Sequence, residues 1–177
     1  MKTYNTDRQV PDSAGTATAL FSGIKTRSGM LGLDQQARYN VCDTAAIDAA
    51  TVESIADWGA QSGKEVGIVS TARITHATPA AMYAHLPQRD WEADSDLPSG
   101  NEGCEDIASQ LVKSFQTGKI KLALGGGRRS FRSAANGGNR QGDDLVEKFK
   151  EMGGTYLETT GDLQEWDYSD KHSEVCE

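Results

Sequence analysis

Residues 62–81 of the chain read SGKEVGIVSTARITHATPAA. Within them, Val66 to Ser70 form a short apolar run rich in β-branched residues, bounded by Gly63-Lys64 on one side and by a polar loop on the other. Such a run predicts a strand buried on both faces. We therefore interpret it as a central strand of a parallel sheet.

The segments on either side of this strand predict helices. Before it, apolar positions at helical spacing predict one helix over about 44–62, with a stripe of Ile47, Thr51, Ile55 and Trp58. After it, Thr78-Pro79 predicts a cap followed by proline at the first helical position, so a short helix should run to about His85. The loop 71–77 then lies at the carboxyl end of the strand.

The alternation of helix and strand continues along the chain. A helix marked by Ile107, Leu111 and Phe115 should end at Gly118 and lead to a strand over Ile120 to Leu124; a second helix, marked by Leu145, Val146, Phe149 and Met152, should lead to a strand over Thr155 to Glu158. Successive helix and strand units predict an α/β fold, with a mostly parallel sheet and helices on both faces. Ligands of such sheets bind beyond the carboxyl ends of the strands. Residues 133–142 are predicted to form a surface loop.

Composition limits the classes of function. The chain has 177 residues and 37% hydrophobic content, so we expect residues 1–177 to form a single α/β segment. Lys and Arg number 18 against 26 Asp and Glu, a net charge of -8 that disfavours nucleic acid as a partner. No stretch approaches the roughly 20 apolar residues of a membrane span. Three cysteines without a C-x-x-C pair indicate no zinc module.

The densest chemical signal is the segment 10–19, which reads VPDSAGTATA. It delivers Asp12 and Ser13 to the start of a helix of small residues. Ser13 would face the positive end of that helix, where free backbone N–H groups suit an anion. The alternative is that Ser13 is an N-cap residue. Spacing alone leaves both interpretations open.

This segment resembles the nucleophile motif of alkaline phosphatases. The similarity continues in order through further segments, namely Gly32-Leu33, Ala37 to Asn40, Gly63 to Ser70, Thr75 to Ala81, Tyr83 to His85, Gly103 to Ala108 and Leu124 to Arg128. An ordered series of this kind is far more specific than one motif. The resemblance implies hydrolysis of phosphate monoesters and the three-layer α/β sandwich of that family.

The resemblance also implies roles for individual residues. Ser13 would attack phosphorus to give a phosphoserine, and Asp12 would orient Arg89, whose guanidinium would grip two phosphate oxygens. The family's centre holds two zinc ions and one magnesium ion. Thr78 would be a magnesium ligand, His76 would neighbour metal-bound water, and the Ser13 oxygen would face zinc. Thr78 could equally be only a helix cap and His76 a hydrogen-bonded loop residue. Arg89 could be only a surface residue paired with Asp90 or Glu92.

Cys42 and Cys104 match positions that are bridged in the animal-type enzymes of the family, and Cys176 would be left unpaired. Two buried free thiols are the alternative, which would hold in a reducing cytosol. Leu124 to Gly127 lacks the G-x-G-x-x-G spacing and is interpreted as a structural turn rather than a dinucleotide loop.

We expect the chain to be a fragment, because most metal ligands of the family, including a D-G-M-G aspartate, have no counterpart in it. On its own it should then be close to inactive. The parent enzyme is expected to be a homodimer located in the periplasm or outside the cell. The rival hypothesis is a non-catalytic α/β protein that binds a phosphate-bearing ligand or partner through Arg89 and the turn at Ser13.

Overall fold

A four-stranded parallel sheet organises the chain. The computed structural model describes residues 4–99, 103–167 and, as backbone, 174–176. The strands are β1 (Gly67–Arg73), β2 (Leu122–Gly126), β3 (Thr155–Leu157) and β4 (Glu174–Cys176), in the order β1-β2-β4-β3. Each neighbouring pair is parallel, with Ile68 opposite Ala123 in the first pair. The predicted α/β fold with a parallel sheet is confirmed.

Seven α-helices accompany the sheet in the described residues. They are α1 (Ser13–Ser22), α2 (Thr44–Ala50), α3 (Ile55–Gln61), α4 (Ala77–Ala80), α5 (Ile107–Gln116), α6 (Leu145–Glu151) and α7 (Thr160–Glu165). None of them, in the part of the chain that the structure describes, is long and apolar enough to cross a membrane.

The helices α5 and α6 follow the sequence expectation. Ile107, Leu111 and Phe115 are all buried, and the Phe115 ring lies 4.9 Å from that of Phe149 on α6. Each helix begins at an aspartate N-cap, Asp106 for α5 and Asp144 for α6. Apolar spacing and cap chemistry are therefore sufficient to place these two helices.

The single helix predicted over 44–62 is wrong, because the chain leaves the helical conformation between α2 and α3. Thr51 bridges Leu33 in antiparallel fashion, and the Val52 N–H donates to the Gly32 carbonyl at 3.0 Å. Ser54 then starts α3 with a capping box. Ile55 and Trp58, expected on the buried stripe, are about half exposed, at 56% and 45%.

The position of β1 also differs from expectation. It lies at one edge of the sheet formed by the described strands rather than in the centre. Ile68 is buried, but Val69 is 72% exposed, so only one face of the strand is covered. Strand order depends on contacts between distant segments, which a local apolar run does not encode.

Two long-range links tie the loops to this core. A disulfide joins Cys42 to Cys104, 62 residues apart, and a closed loop of that length is worth about 4 kcal/mol in the chain-entropy model. The loop 133–142, predicted to lie on the surface, is anchored by Arg140, which is only 5% exposed and pairs with Asp106. Cys176 belongs to β4, and its side chain lies outside the described residues.

Candidate active site

The start of α1 carries the first two residues of the site. Asp12 is the N-cap residue, and Ser13 is the first helical residue. The interpretation of Ser13 as the N-cap is therefore wrong. The Ser13 side chain is half-buried, and its hydroxyl has no hydrogen bond within the described residues. It is available to an incoming group.

Asp12 uses both carboxylate oxygens fully. Oδ1 accepts from the Gly15 N–H at 3.1 Å and from the Asn5 side-chain amide at 3.0 Å. Oδ2 accepts from the Ala14 N–H and from Arg89 Nη1, both at 3.2 Å. Burial alone would raise the pKa of Asp12, but the hydrogen bonds it accepts bring the pKa below its usual value. Asp12 is a carboxylate at neutral pH.

The hydrogen bonds to Asp12 engage backbone N–H groups at the start of α1 that the sequence analysis expected to be free for an anion. The N–H groups of Ala14 and Gly15 point at the Asp12 carboxylate, and the Thr16 N–H donates to the Asp12 carbonyl at 3.0 Å. These three amides are not free for an anion, whereas the Ser13 N–H has no hydrogen-bond acceptor in the described residues. The sequence expectation of free amides therefore holds only for Ser13, and an anion beside it would depend on that N–H and on the arginine.

Arg89 joins the two sides of the site. Its Nη1 donates to Asp12 and its Nη2 lies 3.1 Å from His76 Nε2, while its Nε is 3.8 Å from Asp90 Oδ1. The backbone is held as well, since the Arg89 N–H donates to the Gly29 carbonyl at 2.8 Å. A guanidinium has five N–H donors, so two are used within the site and the others remain for a ligand.

His76 lies immediately before α4, as its N-cap, and contacts Arg89. Burial lowers the pKa of His76, and the charges of Arg89 and Arg73 lower it further, so the ring is neutral at pH 7. Because Arg89 can only donate, His76 Nε2 must accept and the proton sits on Nδ1. That Nδ1 is buried without a hydrogen-bond partner in the described residues.

Thr78 is the predicted site residue that the structure leaves outside this network. It lies in the first turn of α4, one position past Ala77, and its side chain is exposed. It is not the cap, contrary to the alternative interpretation, because α4 begins at Ala77. Its hydroxyl has no hydrogen bond to Ser13, Asp12 or Arg89.

Sequence reasoning missed two contributors. Asn5, buried next to Asp12, carried no local signal in the sequence. Glu92 does not pair with Arg89; it binds Arg73 in a two-pronged contact and accepts from the Thr75 hydroxyl at 2.6 Å. Burial would raise the pKa of Glu92, but Arg73 and Thr75 bring it below its usual value. The Glu92 contacts join residues 19 and 17 positions apart, whereas Asn5 and Asp12 are only 7 apart.

Few side chains around Ser13 are free to bind a metal ion. The carboxylates of Asp12 and Glu92 are fully engaged with nitrogen and hydroxyl donors. Across residues 4–99 and 103–167, no group of three or more His, Cys, Asp or Glu side chains is arranged to hold a metal ion. The site is therefore built around an arginine and a hydroxyl.

Comparison with known proteins identifies the class. The fold is similar to that of a solved phosphatase: alkaline phosphatase from the Antarctic bacterium TAB5 superposes with a TM-score of 0.68 and 26% identity, covering 99% of this chain and 42% of that one. The family model for alkaline phosphatase matches residues 1–175. The chain belongs to the alkaline phosphatase family.

Curated relatives agree with this assignment. The chain is 48% identical over 128 residues to alkaline phosphatase 4 of Drosophila melanogaster, covering 71% of this chain and 20% of the relative. It is 41% identical over 163 residues to the human tissue-nonspecific isozyme, covering 84% and 30%. The chain thus spans between a fifth and a third of the length of these relatives.

Proposed function

We propose that this sequence supplies the nucleophile and the phosphate-binding arginine of a phosphate monoester hydrolase that acts through a phosphoserine at Ser13. The observation that carries the proposal is that Arg89 binds Asp12, the residue next to Ser13 at the start of α1. The Ser13 hydroxyl has no partner in the described residues, and Arg89 is held in place with donors to spare. Phosphate monoester hydrolysis is the activity for which the family is named.

In this reaction Arg89 would bind the phosphate group and Ser13 would act as the nucleophile. Arg89 binds two non-bridging phosphate oxygens with N–H groups that Asp12 and His76 do not use. Ser13 Oγ then forms a bond to phosphorus, loses its proton, and the bond from phosphorus to the ester oxygen breaks. The leaving group takes up a proton and departs as an alcohol. Water attacks the phosphoserine in a second step, which releases inorganic phosphate and restores Ser13.

The described residues do not by themselves fit the two zinc ions that the family resemblance implies. Zinc prefers histidine, cysteine and carboxylate ligands, and the carboxylates at this site are engaged. We infer that zinc ligands belong to other parts of a full-length protein. For magnesium, Thr78 would be the direct ligand and His76 an outer partner; a bound magnesium would add positive charge beside the phosphate. A mutant of the Antarctic enzyme has been solved with magnesium bound.

The test is trapping of the intermediate in a full-length protein that contains this sequence. After incubation with labelled phosphate and an acid quench, the label should map to Ser13 and disappear in Ser13→Ala. Thr16→Ala is the matched control, because it removes an exposed hydroxyl from the same helix. Label on another residue, or label that survives Ser13→Ala, contradicts the proposal.

We infer that the isolated chain turns over little or no substrate. A helix start contributes about 0.3 to 1 kcal/mol of anion stabilisation, whereas zinc can lower the pKa of bound water from about 15.7 to about 7, worth about 12 kcal/mol. Without metal activation, the Ser13 hydroxyl is an ordinary alcohol. Assay of the purified chain with a chromogenic phosphate ester, with and without added zinc and magnesium, checks this; metal-dependent turnover contradicts it.

The disulfide supports a location for the full-length protein. A bridge between Cys42 and Cys104 persists in oxidising compartments such as the periplasm or the extracellular space. We therefore infer that the parent enzyme works outside the cytoplasm. Peptide mapping of the native protein under non-reducing conditions should recover the two cysteines in one linked peptide pair.

A further inference from the structure

Asn5 is a buried polar side chain that the mechanism above does not use. It is 3% exposed, and its amide Nδ2 donates to Asp12 Oδ1 at 3.0 Å. The surrounding turn is fixed, since the Asn5 N–H donates to the Arg8 carbonyl and the Thr6 N–H to the Thr26 carbonyl, each at 3.0 Å. Asn5 therefore approaches Asp12 from a rigid segment.

The packing of α1 makes room for this side chain. A Cβ atom added at Gly15 would overlap the Asn5 amide group. The Gly15 φ is not in the left-handed region, so the backbone does not require glycine. Glycine within a helix costs about 0.5 to 1 kcal/mol relative to alanine. The close approach of Asn5 is the physical reason for glycine at this position.

We propose that Asn5 is a positioning residue for phosphate binding, which it serves by fixing the Asp12 carboxylate that holds Arg89. The inference rests on the proposed role of Arg89. Rotation of an aspartate carboxylate about its last torsion is soft. Asn5 and the Gly15 N–H together hold Oδ1, which leaves Oδ2 directed at Arg89 Nη1. When Asn5 is absent, only the Ala14 and Gly15 N–H groups and Arg89 itself hold the carboxylate, so the guanidinium is oriented less firmly.

A second asparagine in the same chain provides a matched control. Asn136 Nδ2 donates to Asp144 Oδ2 at 2.7 Å, and Asp144 is the N-cap of α6. Asn136→Ala and Asn5→Ala thus remove the same kind of bond, an asparagine amide to an aspartate cap. Asp144, however, has no arginine among the partners of its carboxylate in the described residues. If Asn5 only stabilised the fold, Asn5→Ala and Asn136→Ala should have equal effects on phosphate affinity.

The experiment measures the affinity of a full-length protein that contains this sequence for inorganic phosphate by calorimetry, with thermal unfolding recorded for each variant. Asn5→Ala should weaken phosphate binding about two- to twelvefold, the range of one hydrogen bond. Asn136→Ala should leave the affinity within about twofold while lowering the melting temperature similarly. Equal loss of phosphate affinity in the two variants overturns the inference.

A second variant separates donor loss from cavity formation. Asn5→Asp keeps the shape of the side chain but replaces the donor with a carboxylate facing Asp12. We expect a larger loss than in Asn5→Ala, about tenfold or more, because two carboxylates at hydrogen-bond distance repel. Nitrogen-15 signals of the Arg89 guanidinium should shift in both Asn5 variants and not in Asn136→Ala. Unchanged Arg89 signals and phosphate affinity in Asn5→Asp refute a positioning role.

Arg89→Ala distinguishes failure of this inference from failure of the proposed function. If Arg89→Ala binds phosphate as tightly as the unchanged chain, the proposed role of Arg89 fails and the inference about Asn5 fails with it. If Arg89→Ala loses phosphate while both Asn5 variants retain it, the role of Arg89 stands and only the inference about Asn5 is overturned.

Discussion

Two arginines in this chain each bind an aspartate that caps a helix, but they differ in how many of their N–H groups are engaged in hydrogen bonds. Arg140 uses all five N–H groups, with a two-pronged contact to Asp106 at 2.9 and 3.1 Å and further bonds to Ser109, Ser130 and Asp143. Arg89 gives one bond to Asp12 and one to His76.

Burial follows the same division. The side chains of Arg140 and Asp106 are 6% and 4% exposed, whereas those of Arg89 and Asp12 are 23% and 22% exposed. A closed, fully bonded pair holds the fold together. An arginine that is fixed by its partners and still has free donors can bind an external anion. The two arginines therefore differ in their unused N–H donors: Arg140 has none left for a ligand, whereas Arg89 has.

The largest effect is expected from breaking the closed pair. Arg140→Ala leaves Asp106 buried without its cation, and such a loss typically costs about 3 to 5 kcal/mol. Arg89→Ala should cost no more than about 1 kcal/mol, as expected of a partly exposed pair. Urea unfolding of the two variants measures both values. Similar losses in the two variants would remove the distinction between the pairs.

The next effect concerns function and should reverse the order of the two arginines. In a full-length protein, Arg89→Ala should lower phosphate affinity and turnover together by roughly tenfold to several hundredfold, the range of a charge-assisted contact. Ser13 should still become labelled. Arg89→Lys should recover only part of the loss, because an ammonium lacks the planar fork. Steady-state kinetics with inorganic phosphate as inhibitor tests this, and an unchanged kcat/KM in Arg89→Ala contradicts it.

The smallest effect comes from a cap without an arginine, Asp144. Burial would raise its pKa, but hydrogen bonds from Asn136, Ser133, Glu147 and Val146 bring the pKa below the usual aspartate value of 3.8. Its contribution to stability is therefore present above pH 3.8 and is lost as the pH falls through the lowered folded value.

Asp144→Asn should consequently reduce stability by about 1 kcal/mol at pH 7, because an amide nitrogen in place of Oδ2 cannot accept from Ser133 and Asn136, and by progressively less in acid. Urea unfolding at a series of pH values measures the difference from the unchanged chain. Asp143→Asn, an exposed neighbour, is the charge-matched control. A difference that stays constant down to pH 2 would contradict the linkage.

The parts of the fold that the sequence predicted are those with local causes. Helices α5 and α6 have apolar stripes and aspartate caps within their own segments, and both lie where expected. The break between α2 and α3 depends on Val52 meeting Gly32, and the edge position of β1 depends on which strands pair. Neither cause is present within the segment concerned.

The site divides in a similar way. Asp12, Ser13 and Arg89 were found through family resemblance, because no spacing rule connects two residues 77 positions apart. His76 was expected beside metal-bound water, which stays a prediction, and its contact with Arg89 was not expected. Asn5 and Arg140 gave no signal, since a buried polar side chain is recognised only by its partners in space.

The overlap between position 15 and Asn5 restricts how this sequence can evolve. A lineage that acquires alanine at position 15, the residue favoured by helix propensity, would collide with the amide at position 5. A lineage that first shortens position 5 gives up the bond to Asp12. Because each single substitution is disfavoured, positions 5 and 15 should covary: natural variants that change one should also change the other.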